Sequence, residues 1–313
     1  MSTSRRTFMG AAGLSAAALV PASSSLAAPP SASRSGSSGY LRVADGTELF
    51  VRDWGRGRPV VFTHAWPMSA DCWDQNALDL VDAGFRVITY DRRGFGRSTQ
   101  PADGYEYDRL TDDLAAVIAA TGVRDAALVG FSMGGGEVAR YFSRHGGRNV
   151  SRAALVASVV PGLAKGPNNP NGVDPAFFVE FKKNLQRDRL GFLSTLLRDV
   201  FYDVAASAKG TSPVTQAIVD WTLQQGMQAS LLALLRSIDA FSSSDFTADL
   251  PAIGVPTLIL HGDADKPVPI ELTGRRAARG IRNAKLIEYA GATHGILVSE
   301  RERVTRDLLA FLK

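Results

Sequence analysis

The stretch Gly130-Phe131-Ser132-Met133-Gly134 constrains this chain more than any other. An apolar run, Ala126 to Val129, precedes it, and a helix-like run, Gly135 to Phe142, follows. Strand, G-x-S-x-G and helix in that order form the context of a nucleophile elbow. The turn is so sharp that the serine backbone is strained and its hydroxyl stands clear of the strand end. Small residues two positions either side of the serine let strand and helix approach each other. Met133 opens the helix, so its N–H is aimed at the same point and can donate to an oxyanion. The pentapeptide alone also occurs as an ordinary glycine-rich turn, so its meaning depends on what surrounds it.

The rest of the chain supplies that context. Its 313 residues divide into an N-terminal segment of about 40 and a remainder long enough for one α/β domain with an insertion. At 45% hydrophobic and 21% charged the composition is that of a soluble globular protein. The one cysteine, Cys72, excludes an intrachain disulfide and reads as a buried structural thiol. A formal charge of +4 is small for this length. The clusters Arg275-Arg276-Arg279 and Arg301-Arg303-Arg306 are interspersed with acids or alanines and read as solvated helix faces rather than a nucleic-acid surface.

Residues 2–9 carry Ser-Arg-Arg-x-Phe, an Ala-rich apolar run spans Gly10 to Val20, and Ser25-Leu26-Ala27-Ala28 offers a small-residue cleavage pattern. Charged, apolar and small-residue regions in that order predict a signal peptide over residues 1–27, and the arginine pair resembles a twin-arginine export signal. An ordinary secretory signal is the rival reading. The apolar run is too short to remain as a membrane anchor. Residues 28–39, rich in Pro, Ser and Gly, read as a disordered linker, with the domain spanning 40–313.

Within that domain, Leu41–Val43 and Thr47–Trp54 read as a hairpin, after which strands and helices alternate: strand Val60–His64, helix Asn76–Ala83, strand Arg86–Asp91, helix Leu110–Thr121, the elbow, and strand Ala153–Ala157. This rhythm predicts an α/β fold with a mostly parallel, doubly wound sheet. It breaks between about 161 and 250, where strand-like runs are absent and bulky residues such as Phe177, Phe178, Phe181, Phe192, Phe201, Trp221, Leu231 and Leu232 occur in helical stretches. A helical cap is expected there, able to roof an apolar pocket, with most of these aromatics serving the cap's own packing. The sheet rhythm returns with Val255–Gly262, helix Glu271–Arg279, strand Lys285–Tyr289 and helix Glu300–Lys313.

A serine hydroxyl needs a base, and the base needs an orienting acid. His294, in Gly291-Ala292-Thr293-His294-Gly295, lies after the last strand, over the sheet edge that carries the elbow. His64 ends an early strand on the same edge and is a rival. His261 reads as a local hydrogen-bonding residue and His145 as a helix terminus. The acid should follow a strand on that edge, and Gly262-Asp263-Ala264-Asp265 offers two carboxylates between which the residues alone do not decide. Ser, Asp, His is the chain order of a known hydrolase architecture.

The order Ser132, an aspartate of 263–265, His294 resembles the α/β-hydrolase fold. The longer string Val129 to Tyr141, with its triple glycine after Met133, resembles the cofactor-free (non-haem) haloperoxidases, also described as arylesterases and perhydrolases. Asp91-Arg92-Arg93-Gly94-Phe95-Gly96-Arg97-Ser98 and Trp66-Pro67-Met68-Ser69-Ala70-Asp71 fit the same branch, so the similarity runs from about Leu41 to Lys313. The resemblance implies Asp265 as the acid, with Asp263 bracing the loop. It implies the backbone N–H of Trp66 as second oxyanion donor beside that of Met133, with His64 as a loop-bracing residue. The chain departs from the branch at Ala65, where His-Gly is usual, and a Cβ there could narrow the oxyanion loop. The implied activity is hydrolysis of small acyl esters through an acyl-serine, with peracid formation when hydrogen peroxide replaces water and hence metal-free halide oxidation.

Serine at the elbow argues against haloalkane dehalogenases and epoxide hydrolases, which use aspartate there. No H-E-x-x-H, C-x-x-C pair or P-loop is present, and Gly94-x-Gly96 lacks the spacing of a dinucleotide fingerprint, so no cofactor and no metal is implied. Expected partners are a small ester or carboxylic acid substrate and hydrogen peroxide, with no nucleic acid and no stable membrane anchor; homo-oligomerisation stays open. Two other readings compete: a serine lactonase or C–C bond hydrolase on the same fold, distinguished by the cap pocket, and a non-catalytic binding protein, which predicts a broken triad.

Overall fold

The structure, a computed structural model, describes residues 38–207 and 213–313. The signal peptide and nearly all of the linker expected from the sequence lie outside the described residues. Ser38 and Gly39, assigned to the linker above, instead belong to the first strand.

Eight strands form one sheet: β1 (Ser38–Arg42), β2 (Glu48–Gly55), β3 (Pro59–Thr63), β4 (Arg86–Tyr90), β5 (Ala126–Phe131), β6 (Val150–Val156), β7 (Thr257–Gly262) and β8 (Ala284–Tyr289). Their spatial order is β1-β2-β4-β3-β5-β6-β7-β8. β1 and β2 form the expected hairpin, β2 pairs antiparallel with β4, and every later pairing is parallel. Strands covered on both faces should read as continuous apolar runs, and β5 and β7 are buried along their whole length.

Alternation along the strands divides the core between the two faces. Val61, Leu128, Leu155 and Ile259 point into one cluster, where they meet α2 (Tyr107–Ala120), α3 (Met133–His145) and α9 (Gly274–Gly280). Their neighbours Val60, Ala127, Ala154 and Leu258 point into the other, beneath α1 (Asp74–Asp82) and α11 (Arg301–Leu312). Asn76, Ala77 and Leu80 are the buried face of α1, and Val304, Leu308 and Leu312 that of α11.

Between β6 and β7 the chain leaves the sheet and forms an inserted helical region: α4 (Pro175–Arg187), α5 (Arg189–Leu196), α6 (Val204–Ser207), α7 (Gln216–Gln228) and α8 (Leu231–Ser243), with a π-helical turn over Leu197–Phe201. Side-chain caps start several of these helices, with Asp174 accepting from Ala176 N–H, Asp188 from Gly191 N–H and Ser230 from Ala233 N–H. The region is tied to the β3–α1 and β4–α2 connections. The Trp66 indole donates to Leu234 O at 3.1 Å, Gln225 Oε1 accepts from the Ser69 amide and hydroxyl, and Ser230 N–H donates to Gly94 O. A short helix, α10 (Ile296–Ser299), precedes α11.

Candidate active site

β5 ends at Phe131, α3 begins at Met133, and Ser132 is the whole of the turn between them. Its φ of 54° and ψ of −118° lie where L-residues are strained by roughly 1–3 kcal/mol. That conformation is held from both sides: Ser132 N–H donates to Val156 O, and Ser132 O accepts from Gly135 and Val159 N–H. The flanking glycines permit the close approach. A Cβ on Gly130 would lie 2.5 Å from Gly134 O, and one on Gly134 would lie 2.5 Å from Thr63 Oγ1.

The hydroxyl so presented lies 2.9 Å from His294 Nε2. His294 Nδ1 lies 2.7 Å from Asp265 Oδ2, and Asp265 Oδ1 accepts the Val268 N–H at 2.8 Å. Side chains from three distant loops thus form one hydrogen-bonded chain, with Ser132, Asp265 and His294 exposed by only 6%, 4% and 2%. Burial pushes the Asp265 carboxyl upward, but the facing His294 and the hydrogen bonds of His261 and His294 outweigh it, and the net shift is below the usual carboxylate range. An ionised Asp265 accepts from Nδ1–H, which leaves Nε2 as the acceptor for the serine proton.

The imidazole is also packed into place. Phe131 stacks on it, with centroids 5.4 Å apart and planes at 29°, and Phe201 meets it edge-on. The inserted region clamps the histidine loop through Gly295 N–H to Phe201 O and Thr293 Oγ1 to Tyr202 O.

The other sequence candidates take different positions. His64 Nδ1 lies 2.9 Å from Ala65 O, and its Nε2 lies 2.9 Å from the Arg92 amide, so the ring braces its loop and does not reach the serine. Burial, reinforced by the Arg92 charge, holds its pKa well below the ordinary value and keeps it neutral. Asp263 is exposed and its Oδ1 accepts the Gly291 N–H at 2.6 Å, a brace between the acid and histidine loops. His261 Nε2 bonds Val268 O at 2.8 Å and lies 3.3 Å from Asp265 Oδ2. His145 ends α3, bonded to Asp112. Cys72 is partly buried as a residue, and burial of its sulfur, reinforced by the Asp74 and Asp71 charges, pushes the thiol pKa up, against a reactive thiolate.

Above Ser132 opens a cavity of about 580 Å³. Trp66 and Met133 line its floor with Ser132 and His294, and the inserted region supplies the roof. Phe177, Phe178, Phe181, Phe192 and Phe201 all line it, so these aromatics serve the pocket as well as the packing of their own helices, a wider role than the cap packing expected for most of them. Trp221, Leu231 and Leu232 do not line it. Ala65 is absent from the lining too, and its methyl packs in the core cluster with Met68 and Trp73. The Trp66 amide has no acceptor among the described residues. No group of three or more metal-ligating side chains occurs among the described residues, and no helix there is long and apolar enough to cross a membrane.

This geometry has known counterparts. The profile of the alpha/beta hydrolase fold family matches residues 58–300. The chain belongs to the α/β-hydrolase superfamily. Within it, the chain falls in the non-haem haloperoxidase and perhydrolase branch. It is 42% identical over 274 residues to a non-haem haloperoxidase of Rhodococcus erythropolis, covering 88% of this chain and 99% of that one. It is also 42% identical over 278 residues to a bifunctional esterase/perhydrolase of Acinetobacter calcoaceticus, with 88% and 99% covered. The crystal structure of a bromoperoxidase from Bacillus anthracis superposes with a TM-score of 0.83 at 38% identity, over 88% of this chain and 99% of that one. The chain is accordingly a hydrolase-fold enzyme of non-haem chloroperoxidase-like type.

Some functional contacts had no strong signal in the sequence. Phe131, the variable second residue of the pentapeptide, stacks on His294, and the Val268 amide holds the far oxygen of Asp265. Backbone donors leave no trace in residue identity, and a phenylalanine ending a buried strand reads as core.

Proposed function

We propose that the enzyme hydrolyses esters of small carboxylic acids through an acyl-serine, with Ser132 as nucleophile, His294 as general base and then acid, and Asp265 as the group that orients the imidazole. The observation that carries this reading is the unbroken hydrogen-bonded chain Ser132–His294–Asp265 at 2.9 and 2.7 Å, opening onto an apolar cavity. A broken triad, which a binding protein on this fold would carry, is not what the geometry offers.

In the first half-reaction His294 Nε2 takes the serine proton as Oγ attacks the acyl carbon. The tetrahedral oxyanion rests on the Met133 and Trp66 amides, a pair in which losing one donor typically costs about 100–1000-fold in rate. The imidazolium then protonates the departing alcohol, leaving the acyl group on Ser132. In the second half-reaction His294 deprotonates water, whose oxygen attacks the acyl carbon and releases the acid and free Ser132.

Hydrogen peroxide in place of that water gives a peracid and free serine by the same steps. A peracid passes one oxygen to a halide ion, yielding the carboxylate and hypohalous acid, so no metal enters the balance. The esterase/perhydrolase and haloperoxidase names of the relatives support this second use of the site. We also propose export through the residue 1–27 signal, supported by Arg5-Arg6 and the apolar run behind them; replacing Arg5 and Arg6 with lysine should retain the protein in the cytoplasm, and unchanged export would point to the ordinary secretory route.

The test of the chemistry is a pair of assays on purified enzyme, p-nitrophenyl acetate hydrolysis and peracid formation from acetate and peroxide. Ser132→Ala should lower both by four orders of magnitude or more, roughly the cost of removing a triad serine elsewhere. Retention of either activity would overturn the assignment.

A further inference from the structure

The two amides assigned to the oxyanion stand on different elements, Trp66 on the β3–α1 connection and Met133 at the start of α3. Their usefulness depends on spacing, because both must reach one oxygen at about 2.7–3.1 Å. Buried bridges join α3 to the end of β3 and to the connection that follows it. One is short: Thr63 Oγ1 donates to Gly134 O at 2.9 Å. The other is a run of four side chains that the mechanism above does not use.

That run begins at the peptide between Ala65 and Trp66. Ala65 O accepts from Met68 N–H at 3.1 Å and from His64 Nδ1–H at 2.9 Å. The carbonyl and N–H of a trans peptide point opposite ways in one plane, and this peptide is not among the cis bonds of the chain. Holding Ala65 O therefore fixes the direction of the Trp66 N–H. Arg92 holds His64 in turn. Its amide donates to His64 Nε2 at 2.9 Å, and its Nη2 donates to His64 O at 2.8 Å. With Nδ1 spent on Ala65 O, the 3.3 Å approach of Arg92 Nη1 to Nδ1 brings two donors together and is not a bond. Glu137 anchors Arg92: its Oε1 accepts from Arg92 Nε at 2.8 Å and from Nη2, and its Oε2 accepts from Tyr90 Oη at 2.6 Å. Glu137 lies one turn beyond Met133 on α3.

His64, Arg92, Glu137 and Tyr90 are each exposed by 1% or less. A buried ion pair is weak evidence for stability, since apolar residues of the same volume often do as well. What this pair provides that apolar residues would not is a fixed length between two elements. We propose that Arg92 and Glu137 are positioning residues: together they form a strut that sets the separation of the Trp66 and Met133 amides and so tunes stabilisation of the tetrahedral oxyanion. The inference rests on the assignment of those two amides in the proposed function.

The experiment uses the whole enzyme and the Glu137→Gln variant, which keeps the shape and removes the charge. Steady-state kinetics with p-nitrophenyl acetate, active-site counting with a p-nitrophenyl phosphonate, and inhibition by an arylboronic acid, whose tetrahedral adduct places an oxygen on the same amides, are measured together. We expect kcat per titrated site to fall about 10–100-fold, a substantial part of the loss from one missing donor. KM should stay within about twofold, and the boronic acid Ki should rise in step with the fall in kcat. If Glu137→Gln does not fold, Tyr90→Phe removes one hydrogen bond to the same carboxylate and leaves the ion pair, with an expected loss of about 2–5-fold in kcat and the same parallel change in Ki. A folded variant with lower Tm but unchanged kcat per site and unchanged Ki would overturn the proposal. Ser132→Ala, assayed alongside, separates the two levels: its retention of activity would overturn the parent reading, whereas its inactivity beside an unaffected Glu137→Gln, or an unaffected Tyr90→Phe, would overturn the strut alone.

Discussion

The ring of Phe201 stands edge-on to the imidazole of His294, with centroids 4.6 Å apart and planes at 88°. Phe201 belongs to the π-helical turn of the inserted region, and His294 to the loop after the last strand. The insertion therefore holds the base as well as roofing the substrate cavity. Phe201 O also accepts the Gly295 N–H, a contact that survives side-chain truncation. Phe201→Ala should thus keep the loop's backbone anchor and release the ring. We expect kcat for p-nitrophenyl acetate to fall about tenfold or more, since misplacing a catalytic group by about 1 Å can cost 100-fold. Unfolding should move to lower denaturant, as emptying a buried phenylalanine site costs about 3–5 kcal/mol. Kinetics below the unfolding transition separate the two effects.

Asp265 has its folded-state pKa depressed. A group depressed in the folded state binds its proton more readily in the unfolded chain, so its contribution to stability is complete above the unfolded value, near 3.8, and disappears as pH falls through the lower folded value. Asp265→Asn lacks that contribution at every pH. The stability gap between wild type and Asp265→Asn should therefore be widest at neutral pH and shrink below about pH 4. Urea unfolding at pH 7, 5 and 3 measures it. The same variant should lose about 10⁴-fold in kcat, because an amide facing Nδ1 favours the wrong tautomer.

The elbow and the histidine loop were legible because their chemistry is local. Ser132 sits in a turn that strand, glycines and helix specify within a dozen residues, and His294 follows the last strand on the edge where the elbow must lie. The choice between Asp263 and Asp265 was not legible from residue types. Both sit in one loop, and only folding decides that Asp263 Oδ1 turns out to Gly291 while Asp265 turns in to His294. Element existence held better than boundaries. β6 begins at Val150, three residues before the expected start, because Ser151 and Arg152 are half-buried polar residues that interrupt the apolar run. The cavity was least legible: on α4, adjacent Phe177 and Phe178 both line it, although one is 55% exposed and the other 8%. Which aromatic meets substrate depends on how helices pack, and helical periodicity does not encode that.

Gly134 tests the packing of the elbow independently of the triad. A Cβ there would sit 2.5 Å from Thr63 Oγ1 and 2.6 Å from Thr63 O, the latter in the rigid backbone of β3. Gly134→Ala should force α3 away from β3 at the point where Met133 presents its amide. Overpacking of this kind costs about 1–3 kcal/mol. We expect a lower Tm and a loss of kcat greater than the loss of titratable serine. Gly146→Ala makes a useful contrast: nothing lies within 4 Å of its added Cβ, though its φ of 63° adds local strain, so stability should fall while kcat per site holds.

Phe181 links the cavity to the oxyanion loop, with its ring 5.7 Å from that of Trp66 and 4.8 Å from that of Phe192. It is only partly buried and lies on the cavity wall. Phe181→Ala should enlarge the cavity and leave Ser132, Asp265 and His294 in place. Acetyl esters gain nothing from the added room, whereas a longer acyl chain can fill it. Each buried methylene contributes about 0.8 kcal/mol, or roughly fourfold. Across p-nitrophenyl esters from acetate to octanoate, kcat/KM of the variant relative to wild type should climb with chain length. A flat ratio would place the acyl chain elsewhere in the cavity and assign the Phe181 side to the alcohol. Repeating the series with acetate esters of increasingly bulky alcohols then reads which half of the substrate Phe181 meets, since the climb should appear in one series and be absent from the other.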